Sequence, residues 1–256
     1  MSTDDRRAKG PERPAEPAAK SGLGKLFPKR YDPLTSLVLV VPVFVIYHLG
    51  ILLMDRRNGV DLASTLFFGV LRQSVGLYVG LTLAIGAALI GAGFYLRKKG
   101  KARVFAFVPV LLESFVWAIV MTFTVGWLTA QVLPDPALQV GANPLGPIDK
   151  IVMSCGAGFH EELVFRVVIF GGLGLLFRRV LNLRATLSFA LALVISSAIF
   201  SGIHYVGELG DEFTLASFVF RFFAGVYLAL LYRFRGFAVA VYAHALYDVM
   251  VLLFLS

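Results

Sequence analysis

Three short stretches of the chain combine residue types that can move protons: Glu161-Glu162-x-x-x-Arg166, Phe200-x-x-x-His204 and His244-x-x-x-Asp248. Glu162 and Arg166 stand at i and i+4, one face of an α-helix, where carboxylate and guanidinium pair. Glu161 points about 100° away from Glu162 and is available to face something else. The spacing thus separates a structural carboxylate from one that can do chemistry. A carboxylate and imidazoles together can take a proton from water and return it to a leaving group. For the Glu–Arg pair alone, a helix-packing salt bridge is the competing reading. A lone histidine in an apolar helix is likewise ordinarily a packing residue. Two histidines and two acids on three helices argue instead for a converging cluster. The same side chains admit a metal reading, because Glu161, His204 and His244 form a two-histidine, one-carboxylate set. His160-Glu161 opens like the zinc helix HExxH, but position 164 is Val, so that helix is absent.

The elements that must position these residues are membrane helices. Hydrophobic residues make up 58% of the 256, charged residues 16%, and mean hydropathy is +0.79, which excludes an ordinary soluble globule. Seven segments are long and apolar enough to cross a hydrocarbon layer of about 30 Å as helices: 34–54, 74–96, 104–130, 148–177, 185–205, 214–234 and 237–255. Alternating strands of the barrel type are missing, so the fold class is an all-α polytopic bundle. Leu62–Leu71 is too short to span and reads as an interfacial helix. The 131–147 stretch, rich in Pro, Gly and Asn, reads as an irregular connection. On insertion scales Glu161, Glu162 and Arg166 together cost about 7–10 kcal/mol before pairing. A membrane helix does not keep such residues without use.

Residues 1–33 hold 8 Lys/Arg, 5 Asp/Glu and five prolines, a composition that cannot bury a core and reads as a disordered cytoplasmic tail. With that tail inside, the inner segments carry 18 Lys/Arg and the outer ones 4. The asymmetry places the N-terminus in and the C-terminus out. The net charge of +8 sits in short clusters between apolar runs, which suits anionic lipid headgroups and not nucleic acid. The single cysteine, Cys155, excludes an internal disulfide and any CxxC motif.

Taken together and in order, the three motifs resemble the CPBP intramembrane protease family, which includes the CAAX prenyl endopeptidases and bacteriocin-processing relatives. The resemblance covers residues 148–255, that family's four-helix catalytic core, and leaves 34–147 as N-terminal spans. Asp248 departs from it, since many members carry Asn there. The resemblance implies an intramembrane endopeptidase in a bacterial inner (plasma) membrane, acting on a membrane protein or peptide. Its members were long called metalloproteases, and a metal-free glutamic mechanism is now favoured. Peptide hydrolysis needs an activated water, a proton for the leaving amine and a stabilised oxyanion. Glu161 is then the general base and His204 holds the same water. His244 and Asp248 face the oxyanion, Asp248 donating when protonated and otherwise orienting His244. Glu162 and Arg166 support them from behind. The reading adopted is metal-free, with Glu161, His204 and His244 as the ligands of any zinc.

Other readings of the same core are a non-catalytic scaffold or immunity protein, a CAAX-type prenyl-protein endopeptidase, and a proton-relay transporter. The last lacks matched broken helices in two halves. His160 reads as a packing residue or a support behind the site, His48 as a core or interfacial histidine, Cys155 as a small packing residue, and Glu113 and Arg221 as a pair across helices in preference to lining a substrate path. Gly156, Gly158, Gly171, Gly172 and Gly174 read as sites of close helix approach. Counting 1.5 Å per residue from the inner end of each span puts Glu161 about 25 Å up, His204 about 30 Å, and His244 and Asp248 roughly 12 and 18 Å. Three of the four fall in the outer half. The expected cavity therefore opens outward, toward an exported protein with a C-terminal anchor helix, as in C-terminal protein sorting.

Overall fold

The computed structural model describes residues 28–53, 74–98, 100–133, 146–206 and 210–254. The tail before residue 28, the Leu62–Leu71 stretch and most of the 131–147 connection lie outside the described residues.

All seven predicted spans are helical, and no strand occurs among the described residues. Six are long α-helices: α1 (Pro33–Leu53), α2 (Val75–Arg97), α3 (Phe107–Val132, entered through a 3-10 turn at Val104–Ala106), α6 (Ala185–Ile203), α7 (Leu215–Arg235) and α8 (Phe237–Phe254). Their mean hydropathies of 1.8 to 2.5 suit a membrane interior. The seventh is built differently. α4 (Pro147–Gly156) runs unbroken into a π-helical segment, π1 (Ala157–Phe170), then one α-turn, α5 (Gly171–Leu175), and a second π segment, π2 (Leu176–Val180). The wider winding shows in bonds that reach five residues back. Gly171 N–H donates to the Arg166 carbonyl, and Leu181 N–H to that of Leu176 at 3.1 Å. Such windings are rare and concentrate at functional sites.

Helix starts follow local chemistry. Asp32 accepts from Thr35 N–H at 2.9 Å and Thr35 Oγ1 at 2.7 Å, with Pro33 next in the chain. Ser74 and Thr214 cap α2 and α7 through their hydroxyls. Between α7 and α8 the reversal is made by Gly236 alone, at φ 103°. A Cβ there would lie 2.9 Å from the Tyr31 carbonyl oxygen, so both conformation and space require glycine.

α8 sits at the centre and packs against α1, α3, α4, π1 and α7. Its first half, Ala238 to Ala245, is wholly buried. One apolar cluster joins α1, α4, π1 and α8 through Tyr47, Val152, Phe159 and Val239. A second joins α3, π1, α6 and α7 through Met121, Phe165, Phe200 and Leu228. Of the predicted close-approach glycines, two fill that role: at Gly158 a Cβ would lie 2.8 Å from Val241 O, and at Gly156 2.2 Å from the Tyr47 ring. Gly172 and Gly174 have nothing within 4 Å, and Gly171 meets only the Arg166 carbonyl of its own helix at 3.5 Å, which corrects the expectation for those three. α2 stands at the periphery against α1, with Tyr78 its only buried residue. Outward residues such as Leu83, Ile90 and Phe123 are exposed, the face a bilayer would cover.

Candidate active site

Three elements bring the predicted residues together. π1 supplies Glu161, Glu162 and Arg166, the C-terminal end of α6 supplies His204, and α8 supplies His244 and Asp248. Glu161 Oε2 lies 3.9 Å from His204 Nε2 and 4.0 Å from His244 Nε2. Asp248 Oδ2 lies 3.5 Å from the same His244 nitrogen. Glu162 Oε2 pairs with Arg166 Nε at 3.0 Å, as its spacing predicts. Glu161, Glu162, Arg166 and His244 are all buried.

The partners of each ring fix where its protons sit. His204 Nδ1 is 2.7 Å from the Phe200 carbonyl, which can only accept. Nδ1 therefore carries hydrogen, and in the neutral ring Nε2 turns a lone pair toward Glu161. His244 Nδ1 is 2.9 Å from Glu162 Oε1. It too donates from Nδ1, and Nε2 faces Asp248 and Glu161. A proton on that nitrogen makes the ring an imidazolium among three carboxylates. Glu161 and the Nε2 atoms of both histidines thus share one space. Their separations exceed a direct hydrogen bond, yet each is short enough for one water at about 2.8 Å from both groups to bridge it.

Two parts of this arrangement escaped the sequence. Glu162, read as a partner for Arg166 alone, also holds His244 across helices. Phe200, beyond supplying its carbonyl to His204, places its ring under Arg166, 4.6 Å from centroid to guanidinium carbon. The motif Phe200-x-x-x-His204 places this phenylalanine one turn before the histidine, but nothing local signals its contact with Arg166 on another helix.

Residues read as packing are packing. His160 donates from Nδ1 to the Gly156 carbonyl at 3.1 Å and lies edge-on to His48, ring centroids 5.2 Å apart. His48 bonds Tyr78 Oη at 2.8 Å, and Cys155 is buried. Glu113 and Arg221 do not pair with each other. Glu113 is the bidentate partner of Arg235, one contact being 2.8 Å, and also accepts from Trp117 Nε1 at 3.1 Å. Arg221 pairs with Asp211. The sequence joined the first two because both are lone charges inside spans, and their true partners lie at opposite helix ends.

The metal reading can be tested on the donor atoms. Tetrahedral zinc with bonds of 2.0–2.1 Å sets its ligand atoms about 3.4 Å apart. The 3.9 and 4.0 Å separations from Glu161 are wider. Among the described residues no three His, Cys, Asp or Glu side chains converge at metal-ligand spacing. The set as arranged does not fit zinc.

Residues 144–250 match the family model described as type II CAAX prenyl endopeptidase Rce1-like. The chain matched no curated protein and no solved structure. The matched stretch contains every residue of the cluster and leaves α1 to α3 outside. The buried carboxylate–imidazole cluster thus lies inside a polytopic helical bundle, in the stretch, residues 144–250, that is similar to the Rce1-like type II CAAX prenyl endopeptidase family.

Proposed function

We propose that this protein is an intramembrane endopeptidase that cleaves at or near the C-terminal membrane anchor of a protein substrate through a water activated by Glu161. The observation that carries the reading is Glu161 Oε2 facing both His204 Nε2 and His244 Nε2 at 3.9 and 4.0 Å in a buried site. A water between Glu161 and His204 donates one hydrogen to the carboxylate and the other to the lone pair of Nε2. Its own lone pair is left toward the scissile carbonyl. Attack transfers the water's proton to Glu161 and forms a tetrahedral oxyanion. A proton on His244 Nε2, or on Asp248, donates to that oxygen. Glu161 returns its proton to the amide nitrogen, the C–N bond breaks, and the amine leaves together with a carboxylic acid that keeps the water's second hydrogen until it is released to solvent. Glu162 holds His244 by Nδ1 and is itself balanced by Arg166.

The test is cleavage of a membrane-anchored reporter by purified protein in liposomes, beside Glu161→Gln. That substitution keeps the shape and removes the base. We expect a loss of about 10²- to 10⁴-fold in rate with the melting temperature unchanged. Normal turnover by Glu161→Gln removes that residue from the mechanism. Metal analysis of the active protein belongs to the same experiment, and stoichiometric zinc leaving together with activity overturns the metal-free scheme.

The charge distribution supports a reading of the side served. Basic connections meet at one end of the bundle: Arg103 N–H donates to Thr35 Oγ1, Tyr31 N–H to the Arg235 carbonyl, and Arg30 lies over Tyr232. Lys/Arg-rich ends face the cytoplasm, which supports a reading with the Tyr205 end of α6 outside and an exported protein with a C-terminal anchor as the substrate, as in C-terminal sorting. Similarity to CAAX prenyl endopeptidases favours a second reading, a prenylated CAAX protein presented from the cytoplasm. A farnesylated CAAX peptide cleaved faster than the anchored reporter would select it.

A further inference from the structure

His204 is the cluster residue that its own helix supports least. Glu161, Glu162 and Arg166 stand within π1, and His244 and Asp248 within α8, whereas His204 caps α6 and Tyr205 and Val206 after it are not helical. What holds the chain on either side is concentrated on α7. Arg221 donates from Nη1 to Tyr205 Oη at 3.0 Å and to Ser217 Oγ at 2.8 Å, and from Nη2 to the Asp211 carboxylate. Its guanidinium also lies over the Tyr205 ring, 5.2 Å from the centroid. Asp211 N–H donates in turn to the carbonyl of His204 itself at 2.8 Å. On the near side, Ser201 Oγ donates to the Phe218 carbonyl of α7 at 2.7 Å.

One guanidinium therefore gathers the residue after His204 and the residue bonded to the His204 backbone. We infer that Arg221 is the positioning residue of His204, holding the ring with Nδ1 on the Phe200 carbonyl and Nε2 toward Glu161. Arginine suits the task because its planar fork serves three partners in fixed directions, which the single ammonium of lysine cannot do. This inference rests on the proposed role of His204, but its first readout needs no substrate.

The chain has four histidines, so ring-¹⁵N spectra of the full-length protein in nanodiscs can be assigned by single His→Gln substitutions. Native His204 is expected to show a protonated Nδ1 and an unprotonated Nε2. In Arg221→Gln that signature should collapse toward a mixture of tautomers, while His48 and His160 keep theirs. With the anchored reporter, kcat should fall about ten- to a hundredfold, the range for loss of an orienting partner, with KM nearly unchanged. Arg221→Lys should recover part of it. A folded Arg221→Gln protein with unchanged His204 signals overturns the inference. Should that variant fail to fold, Asp211→Asn weakens one arm of the brace alone. It should move His204 in the same sense by less, and an unmoved His204 there overturns the inference equally. A native protein that shows the His204 signature but cleaves nothing leaves the brace standing and sinks the protease reading instead.

Discussion

Arg166 is fully buried, and Glu162, the carboxylate that balances it, is buried beside it. Removing one member of such a pair strands the other charge and costs about 3–5 kcal/mol. Arg166→Ala should therefore lose melting temperature as well as activity, and a fully stable variant would show that the pair is not enclosed. Glu162 also anchors His244, so the damage reaches the site by a second route. Asp248, partly exposed and 3.5 Å from His244 Nε2, behaves differently. If it donates to the oxyanion, Asp248→Asn retains activity because the amide has permanent donors. Loss in Asp248→Asn together with retention in Asp248→Glu, compared by initial rates, would assign the role to charge. At this scale the sequence was informative about membership. Acids, histidines and an arginine at helical spacing inside apolar runs announce themselves. Pairing across helices does not, since Glu162 and His244 are 82 residues apart and nothing local relates the phase of one helix to another. Arg221 illustrates the same gap, because its partner Asp211 lies in a connection and gives no periodic signal.

The helices themselves were legible because a span must be apolar for about 20 residues whatever it packs against. Their winding was not. A helix apolar on most sides has no polar stripe whose period would distinguish i→i+4 from i→i+5. Counting α-helical rise along 161–178 consequently overstates how high Glu161 sits, since π turns climb less per residue. That contributes to the scatter of expected heights between Glu161 and the two histidines that lie within 4.0 Å of it. Close contact between π1 and α8 depends on Gly158. Gly158→Ala places a Cβ 2.8 Å from a backbone oxygen, and overpacking of this kind costs about 1–3 kcal/mol. We expect a lower melting temperature and slower cleavage. Gly172→Ala, with open space around it, is the matched control and should be neutral or stabilising. Equal melting temperatures for the two variants would show that π1 can yield.

The whole molecule does not divide cleanly at the edge of the matched domain. α1 lies outside residues 144–250, yet its Tyr47 covers Gly156 and Tyr242 Oη donates to its Leu39 carbonyl at 2.7 Å. A fragment beginning at 144 would expose that face. The orientation of the assembled bundle can be read by thiol labelling in a Cys155→Ser background. An impermeant reagent applied to intact cells should label Tyr205→Cys and spare Arg184→Cys. The reverse pattern would invert the topology and move the site to the cytoplasmic side. Gly236 has a consequence for how this assembly is made. With a single residue between α7 and α8 and the Tyr31 carbonyl pressed against it, neither helix can wait in the bilayer for the other. The pair is expected to enter the lipid as one hairpin and close onto a chain segment some two hundred residues earlier in the sequence. A bulky residue at 236 would then register as a protein destroyed by quality control soon after translation, before any question of catalysis arises.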